Sequence, residues 1–195
     1  MSPAPSETQR VLPGTPGAVA LRGAMLLASE GEERLTLAAL GDVGVIGSGR
    51  ARAAREGVDS AFRVAAEALR AADVAFANLE FPVAEPGTVR PDRSPEFRHD
   101  ADVPAALARA GVRVVSLATN HMMDAGSEGL RRTFAACEAA GMRAVGAGAN
   151  LEEARRPARL EARGQRVVVL AYAQAGVADR ASATGPGVAP LDEEV

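Results

Sequence analysis

The sequence predicts an α/β fold, a layered α/β sandwich with a mostly parallel central sheet and helices on its faces. Two observations predict it. Short apolar runs of strand length alternate along the chain with segments whose apolar residues recur at helical spacing. Gly, Pro, Asn and Asp stand between these segments, where turns are expected. Each crossover between successive parallel strands should then be right-handed.

Six strands are predicted from apolar runs bounded by turn residues. The first four should be buried and parallel, and they are residues 35–40, 74–77, 112–118 and 142–145. The last two should pair antiparallel around Arg163-Gly164-Gln165, and they are residues 158–162 and 166–173.

Four helices are predicted between the strands, at residues 59–72, 103–110, 127–140 and from 151 to just before the proline at 157. In the first of them, Phe62 and Leu69 lie on one face and charged residues on the other. Asp102 should cap the second helix and Gly111 should end it. Segments rich in Gly or Pro are predicted to be loops, at residues 44–49, 81–95 and 146–150.

Composition and charge narrow the functional classes. Hydrophobic residues make up 47% of the chain and charged residues 24%, which excludes a disordered or collagen-like protein. The net charge of -3 argues against a dedicated nucleic-acid binder. The single cysteine, Cys137, excludes an intramolecular disulfide and a Cys-rich zinc site, and it should pack within a helix.

The two ends of the chain differ from its middle. Residues 1–34 are predicted to be a flexible tail before a domain that spans 35–195. Residues 18–28 are apolar but too short for a transmembrane segment and a poor match to a signal peptide. We therefore expect a cytoplasmic protein, with the cell envelope as the alternative. The acidic stretch 191–195 resembles the start of a helix, so we expect a truncated domain whose uncovered apolar sheet face favours a homodimer.

Polar side chains follow three of the predicted strands. Asp42 follows the first strand, Asn78 and Glu80 follow the second, and Asn120 and His121 follow the third. Because ligands bind beyond the carboxyl ends of parallel strands, we expect these side chains to converge. Carboxylate, amide and imidazole groups suit a divalent cation such as Mn, Zn, Fe or Mg. Such an ion would polarise a substrate oxygen and lower the pKa of a bound water.

His121 and Asp124 are the candidate catalytic pair. His121 can donate or accept a proton while Asp124, three residues on, orients its second nitrogen. Taken singly, each residue of these groups could instead be a turn, cap or solvated loop residue. His99 lies in a loop rich in Pro and Arg and is expected to be solvated, whereas its neighbour Arg98 could contact substrate. The glycines near residue 44 do not match the dinucleotide-binding fingerprint, so a nucleotide-binding domain is a minor alternative.

Four stretches of the chain carry a resemblance to a known family. They are LTLAALGDVG at 35–44, ADVAFANLEFPV at 72–83, VVSLATNHMMDAGSEGL at 114–130 and VGAGANLEEARRP at 145–157. The chain resembles the bacterial CapA family of capsule or poly-γ-glutamate synthesis proteins. The domain of that family is similar to calcineurin-like metallophosphoesterases.

The resemblance implies a set of roles and a setting. Asp42, Glu80 and Asn120 would be metal-site residues, Asn78 would support them, and His121 would act on substrate as a proton donor. The fold would be the metallophosphoesterase sandwich or half of it. The partner would be a polyanionic or peptide-like polymer, or the machinery that synthesises it.

The chain departs from the family pattern in two ways that affect the predicted metal site. Metallophosphoesterases carry Asp-x-His at the first motif, but Gly44 stands two residues after Asp42. Family members usually continue with further histidines, whereas this chain holds two, His99 and His121. We therefore expect the N-terminal half of a metal-dependent hydrolase-type domain, with weak metal binding by this chain and a dinuclear site in a full-length form. The alternative is a degenerate, non-catalytic binding module of the same family.

Overall fold

A four-stranded parallel sheet forms the centre of the protein. The computed structural model describes residues 34–176 and 179–191. The strands follow the order β1-β2-β3-β4, and every neighbouring pair is parallel. They are β1 (Leu37–Val43), β2 (Val74–Leu79), β3 (Val114–Ser116) and β4 (Arg143–Val145). This arrangement confirms the predicted α/β class with a parallel central sheet.

Two small antiparallel sheets accompany the central one. One pairs β5 (Ala147–Gly148) with β8 (Gly187–Val188), and residues 146–150 had been expected to be loop alone. The other is the predicted hairpin, formed by β6 (Ala158–Ala162) and β7 (Gln165–Val169). Its turn places both Arg163 and Gly164 at positive φ, as tight hairpin turns require.

Within residues 34–176 and 179–191, five α-helices connect the strands. They are α1 (Gly47–Glu56), α2 (Ala66–Ala71), α3 (Val103–Arg109), α4 (Gly126–Ala139) and α5 (Leu151–Ala154). Gly111 ends α3 as predicted. Its φ of 118°, and a backbone nitrogen of Arg70 only 2.9 Å from where a Cβ would lie, leave room for glycine alone. Asp102 is the N-cap residue of α3 as predicted, although its side chain makes no hydrogen bond to the first turn.

The two faces of the sheet are covered by different kinds of element. One face, with Ala75 and Val115, packs in a core cluster with Leu69, Leu107 and Leu130 of the helices. The opposite face packs through residues of β2, β3 and β4 against the hairpin, namely Phe76, Val114 and Val145 against Ala158, Leu160 and Val169. Alternate strand residues point to opposite faces, so both sides of the sheet are apolar.

The predicted helix 59–72 is broken. A 3-10 turn spans Val58–Ala61, and α2 covers only the last part of the predicted range. Val58, Ser60 and Phe62 are all buried. Alternate residues do not share one face of an α-helix, which turns about 100° per residue, so this burial pattern does not fit one continuous amphipathic helix.

Helix α1 was not predicted. Gly47 and Gly49, assigned to a glycine-rich turn, lie in its first turn, and none of its residues is buried. The helix therefore lacks the apolar stripe from which a helix is read in sequence.

Two further expectations concern the chain as a whole. The predicted tail lies outside the described residues except for Arg34, which is exposed. Across residues 34–176 and 179–191, no helix is both long enough and apolar enough to cross a membrane.

Candidate functional site

Asp42, Asn78 and Glu80 meet at the carboxyl end of the sheet. The parallel register places Asp42 of β1 directly beside Asn78 of β2. The Asn78 amide Nδ2 donates hydrogen bonds to Asp42 Oδ1 at 2.7 Å and to Glu80 Oε2 at 3.0 Å. One amide therefore bridges two carboxylates that lie 38 positions apart in the chain. We call these three residues the acidic trio.

The acidic trio holds two negative charges close together. Burial raises the pKa of Glu80, and the nearby Asp42 charge raises it further, while His121 and the Asn78 hydrogen bond oppose the shift. Asp42 itself is exposed. The ionised trio thus has an excess of negative charge that a bound cation would relieve.

The end of the third strand is tied to the acidic trio through Thr119. Its hydroxyl donates to the Glu80 backbone carbonyl at 2.8 Å and accepts from the His121 backbone amide at 3.2 Å. Asn120 stands between these two residues with its side chain exposed. The structure therefore brings the three predicted strand ends together.

His121 and Asp124 form a hydrogen-bonded pair. Asp124 Oδ2 lies 2.7 Å from His121 Nδ1, so Nε2 is the ring nitrogen left for a substrate. Asp124 has no exposed surface, and His121 keeps 18% of its side chain exposed. Burial raises the pKa of Asp124, although His121, Arg93 and Arg90 each pull it down. The contact is present as the three-residue spacing indicated, and its catalytic role stays a prediction.

Arg93 and Asp179 complete this buried group, and sequence reasoning missed both. Arg93 Nε lies 3.0 Å from Asp124 Oδ1, and Arg93 Nη2 lies 3.4 Å from Asp179 Oδ2. The first contact lacks hydrogen-bond alignment, so its attraction is electrostatic. Arg93 stands in the proline-rich loop and Asp179 far along the chain, where no local pattern marks them.

An aromatic wall lies beside His121. The Phe97 ring centroid is 4.7 Å from that of His121 and 5.1 Å from that of Phe81. Phe81 also fills the space beside Gly44, because a Cβ at Gly44 would lie 3.0 Å from Phe81 Cε2.

The prediction that His99 is solvated is wrong. His99 has no exposed surface, and its Nε2 accepts a hydrogen bond from the Val45 backbone amide at 3.3 Å. Its backbone pairs with the neighbouring loop, through Pro82 and Ala84. Burial lowers the pKa of His99 to about 4. The side chain is thus a neutral support for the loop that follows Asp42.

Arg98 is also buried, and its guanidinium is engaged within the protein. Nη1 donates to the Ala84 carbonyl at 3.0 Å and to Asp100 Oδ1 at 2.5 Å. Its carbonyl accepts a hydrogen bond from Arg50. The structure gives Arg98 a role in loop packing, and a substrate contact by this residue stays a prediction.

Cys137 packs in the core as expected. Its side chain is 1% exposed in α4, and burial raises the pKa of the thiol to about 12. At neutral pH it is a protonated packing residue.

The donor chemistry of the site fits a hard cation better than a soft one. Asp42 and Glu80 supply carboxylate oxygens, which suit Mn or Mg, whereas the nitrogen of the Asn78 amide, rather than its oxygen, faces both carboxylates. Among the residues that the structure describes, no three His, Cys, Asp or Glu side chains are grouped closely enough to hold a metal ion. Zinc and iron sites usually require such nitrogen or sulfur ligands, so this chain suits them less well.

A family model described as bacterial capsule synthesis protein PGA_cap matches residues 36–193. The chain belongs to this PGA_cap family. Among curated proteins, the chain is similar to the capsule biosynthesis protein CapA of Bacillus anthracis, with 29% identity over 167 residues. Probable polyglutamine synthesis accessory proteins from two strains of Mycobacterium tuberculosis are each 40% identical over 101 residues.

The matched part of the chain spans less than half of these relatives. The match covers 84% of this chain but 41% of the Bacillus CapA protein. For the mycobacterial proteins it covers 51% of this chain and 26% of the relative. The PGA_cap assignment confirms the resemblance to capsule and polyglutamate synthesis proteins.

Proposed function

We propose that this PGA_cap domain is a metal-dependent, hydrolase-type module that acts on an amide-linked polyanionic polymer during capsule or polyglutamate synthesis. The observation that carries the proposal is the meeting of the acidic trio with the His121–Asp124 pair at one sheet edge. Negative oxygen ligands and an oriented imidazole side by side are the parts that metal-assisted hydrolysis needs. The relatives are named for capsule biosynthesis and polyglutamine synthesis, and the polyanionic polymer itself is what the resemblance to the CapA family implies.

Asp42 and Glu80 would hold the cation, and Asn120 would add an amide oxygen. Asn78 keeps the two carboxylates at a fixed separation through its paired hydrogen bonds. A bound cation of this kind polarises a carbonyl oxygen and lowers the pKa of a bound water. Two carboxylates with the remaining positions filled by water is a common way to hold Mg or Mn.

The same charges explain why a polyanion would need the cation. Asp42 and Glu80 repel a carboxylate-rich chain when the site holds no metal. The arginines near the site do not offset this repulsion, because Arg93 pairs with Asp124 and Asp179, and Arg98 pairs with Asp100. Substrate binding should therefore depend on the divalent cation.

His121 would act on the leaving group. In amide hydrolysis water adds to the carbonyl carbon, the C–N bond breaks, and the departing amine takes up a proton. Asp124 holds Nδ1, so the proton would come from Nε2. Phe97 and Phe81 restrict solvent on one side of the ring.

Incubation with poly-γ-glutamate and Mn²⁺ tests the proposal. New amine ends should appear with the unmodified chain and disappear with His121→Ala and Asp42→Asn. Glu128→Gln is the matched control, since Glu128 is exposed on α4 and contacts only surface arginines. Absence of cleavage, both here and in a longer relative under the same conditions, would contradict the proposal.

A second candidate is a non-catalytic module that binds the polymer or its synthetic machinery. It is favoured by the small number of metal-ligating groups at the site and by the ring that fills the space beside Gly44. Polymer binding that persists in Asp42→Asn and Glu80→Gln, without any cleavage, would support this candidate over the first.

A further inference from the structure

We infer that Arg93 and Asp179 are positioning residues for the His121–Asp124 pair. The inference rests on the proposed function of that pair. It assigns to a distant part of the chain the task of fixing the orientation of the imidazole.

The contacts form one continuous line of alternating charge. His121 Nδ1 lies 2.7 Å from Asp124 Oδ2, and Asp124 Oδ1 lies 3.0 Å from Arg93 Nε. Arg93 Nη2 lies 3.4 Å from Asp179 Oδ2, and Arg90 Nη1 lies 2.9 Å from Asp179 Oδ1. Each carboxylate therefore has one oxygen on Arg93 and its other oxygen on a different partner.

Burial makes these contacts necessary. Asp124 has no exposed side-chain surface and Asp179 has 5%. A buried carboxylate without a partner is costly and tends to take up a proton. A protonated Asp124 would be a poorer acceptor for the imidazole N–H. Arg93 keeps Asp124 ionised and so keeps His121 in one orientation.

The geometry requires the planar guanidinium of arginine. Arg93 reaches Asp124 through Nε and Asp179 through Nη2, on two different nitrogens of one rigid group. A lysine ammonium is a single point charge and cannot reproduce this spacing. Asp179 thus gives the Arg93 guanidinium a second carboxylate partner besides Asp124.

The segment that carries Asp179 is itself anchored to the core. Its neighbour β8 pairs with β5, and the Ala189 backbone amide donates to the Gly146 carbonyl at 2.8 Å. On the other side, the Arg90 backbone amide donates to the Asp124 carbonyl at 2.8 Å. Two loops are therefore fixed around the pair, and Arg93 joins them.

Imidazole NMR of the protein labelled with ¹⁵N-histidine tests this inference without metal or substrate. The chain holds two histidines, so two ring systems are observed, and His99 serves as an internal reference. At fixed pH, the Nδ1 proton of His121 should exchange slowly with water in the unmodified protein. In Arg93→Gln its exchange should be about tenfold faster, which corresponds to a loss of about 1.4 kcal/mol in the interaction that holds this proton on Asp124.

Three further variants keep the test decisive. Asp179→Asn should accelerate exchange less than Arg93→Gln, and Arg93→Lys should fall between the unmodified protein and Arg93→Gln. Arg131→Gln, which removes an exposed pair with Glu128, should leave exchange unchanged. If Arg93→Gln does not fold, the exchange rate of the His121 Nδ1 proton in Asp179→Asn decides whether the inference holds. Unmodified exchange in the folded variants would overturn the inference. Faster exchange without polymer cleavage by any form would uphold it and reject the proposed hydrolysis.

Discussion

The candidate site has two halves, the acidic trio and the buried group around Asp124, which differ in how their negative charges are balanced. In the acidic trio, one neutral amide separates two carboxylates, and Asp42 is open to solvent. In the other half, the buried carboxylates of Asp124 and Asp179 each contact a guanidinium. The first half is left with excess negative charge and the second is close to neutral. The acidic trio therefore keeps an unbalanced negative charge near solvent, whereas the carboxylates around Asp124 are paired within the protein.

The largest loss of stability should come from a substitution in the second half, where the buried carboxylates are paired with arginines. Asp124→Asn removes the buried charge that faces both Arg93 and His121, leaves Arg93 with Asp179 alone, and should lower the free energy of unfolding by about 4 kcal/mol. Urea denaturation measures the loss. Glu128→Gln, which breaks two exposed pairs, should cost less than about 1 kcal/mol. Equal losses in the two variants would contradict the comparison.

Acid should weaken the protein through His99. Its pKa is about 4 in the folded protein and 6.5 ordinarily, so both states are neutral above pH 6.5. Between pH 6.5 and pH 4 the unfolded chain takes up a proton that the folded protein does not, so stability falls as the pH falls. The loss should approach about 3 kcal/mol.

The matched variant for that prediction is His99→Gln. Its amide oxygen can still accept from the Val45 amide, but it does not titrate. Stability of this variant, measured by urea denaturation from pH 7 to pH 4, should fall less steeply than that of the unmodified protein. If the stability of the two proteins fell equally with pH, His99 would not be the source of the acid sensitivity.

A third negative charge placed in the acidic trio should destabilise the protein less than the loss of the Asp124 charge. Asn78→Asp removes the bridging donor and sets a third carboxylate beside Asp42 and Glu80, which should destabilise the protein by about 2 kcal/mol. Asn150→Asp is the matched control, because Asn150 caps α5 as an acceptor and aspartate does the same. Thermal unfolding compares the stability lost by Asn78→Asp with that lost by Asn150→Asp. Asn78→Asp should also recover stability when Mn²⁺ is added, and its failure to do so would count against a cation site.

The smallest effect has the opposite sign. Glu80→Gln removes a charge that burial and the Asp42 carboxylate disfavour, so it should stabilise the metal-free protein slightly, by less than about 1 kcal/mol. Because the raised pKa of Glu80 favours its protonated form, this gain should shrink as the pH falls and Glu80 takes up a proton. Differential scanning calorimetry at pH 7.5 and pH 5 measures the gain in stability and its decrease as the pH falls. A destabilised variant at pH 7.5 would mean that the ionised carboxylate already has a compensating partner.

The sequence predicted the acidic trio better than the buried network, for a physical reason. Asp42, Asn78 and Glu80 lie at strand ends, and the parallel register alone brings strand ends together. Asp124 could be paired with His121 because three residues span one turn. Arg93 and Asp179 are joined only by tertiary packing of loops, which no periodicity records.

The same distinction explains the errors in the fold. The hairpin and the parallel strands follow from apolar runs and turn residues. Helix α1 has no buried face, and the 3-10 turn before α2 buries alternate residues, so neither shows the helical period. His99 was misplaced because its surroundings in sequence are polar, although Phe81 and the backbone of Val45 enclose it in the fold.

Titration with Mn²⁺, followed by electron paramagnetic resonance, tests the central claim most directly. The unmodified chain should bind Mn²⁺ weakly and saturably, since two carboxylates and water complete such a site. Asp42→Asn and Glu80→Gln should each lower the affinity about tenfold or more, because each removes a charged ligand. Glu128→Gln should bind as the unmodified chain does. Equal Mn²⁺ affinity in all four proteins would contradict the account, because the acidic trio would then hold no cation.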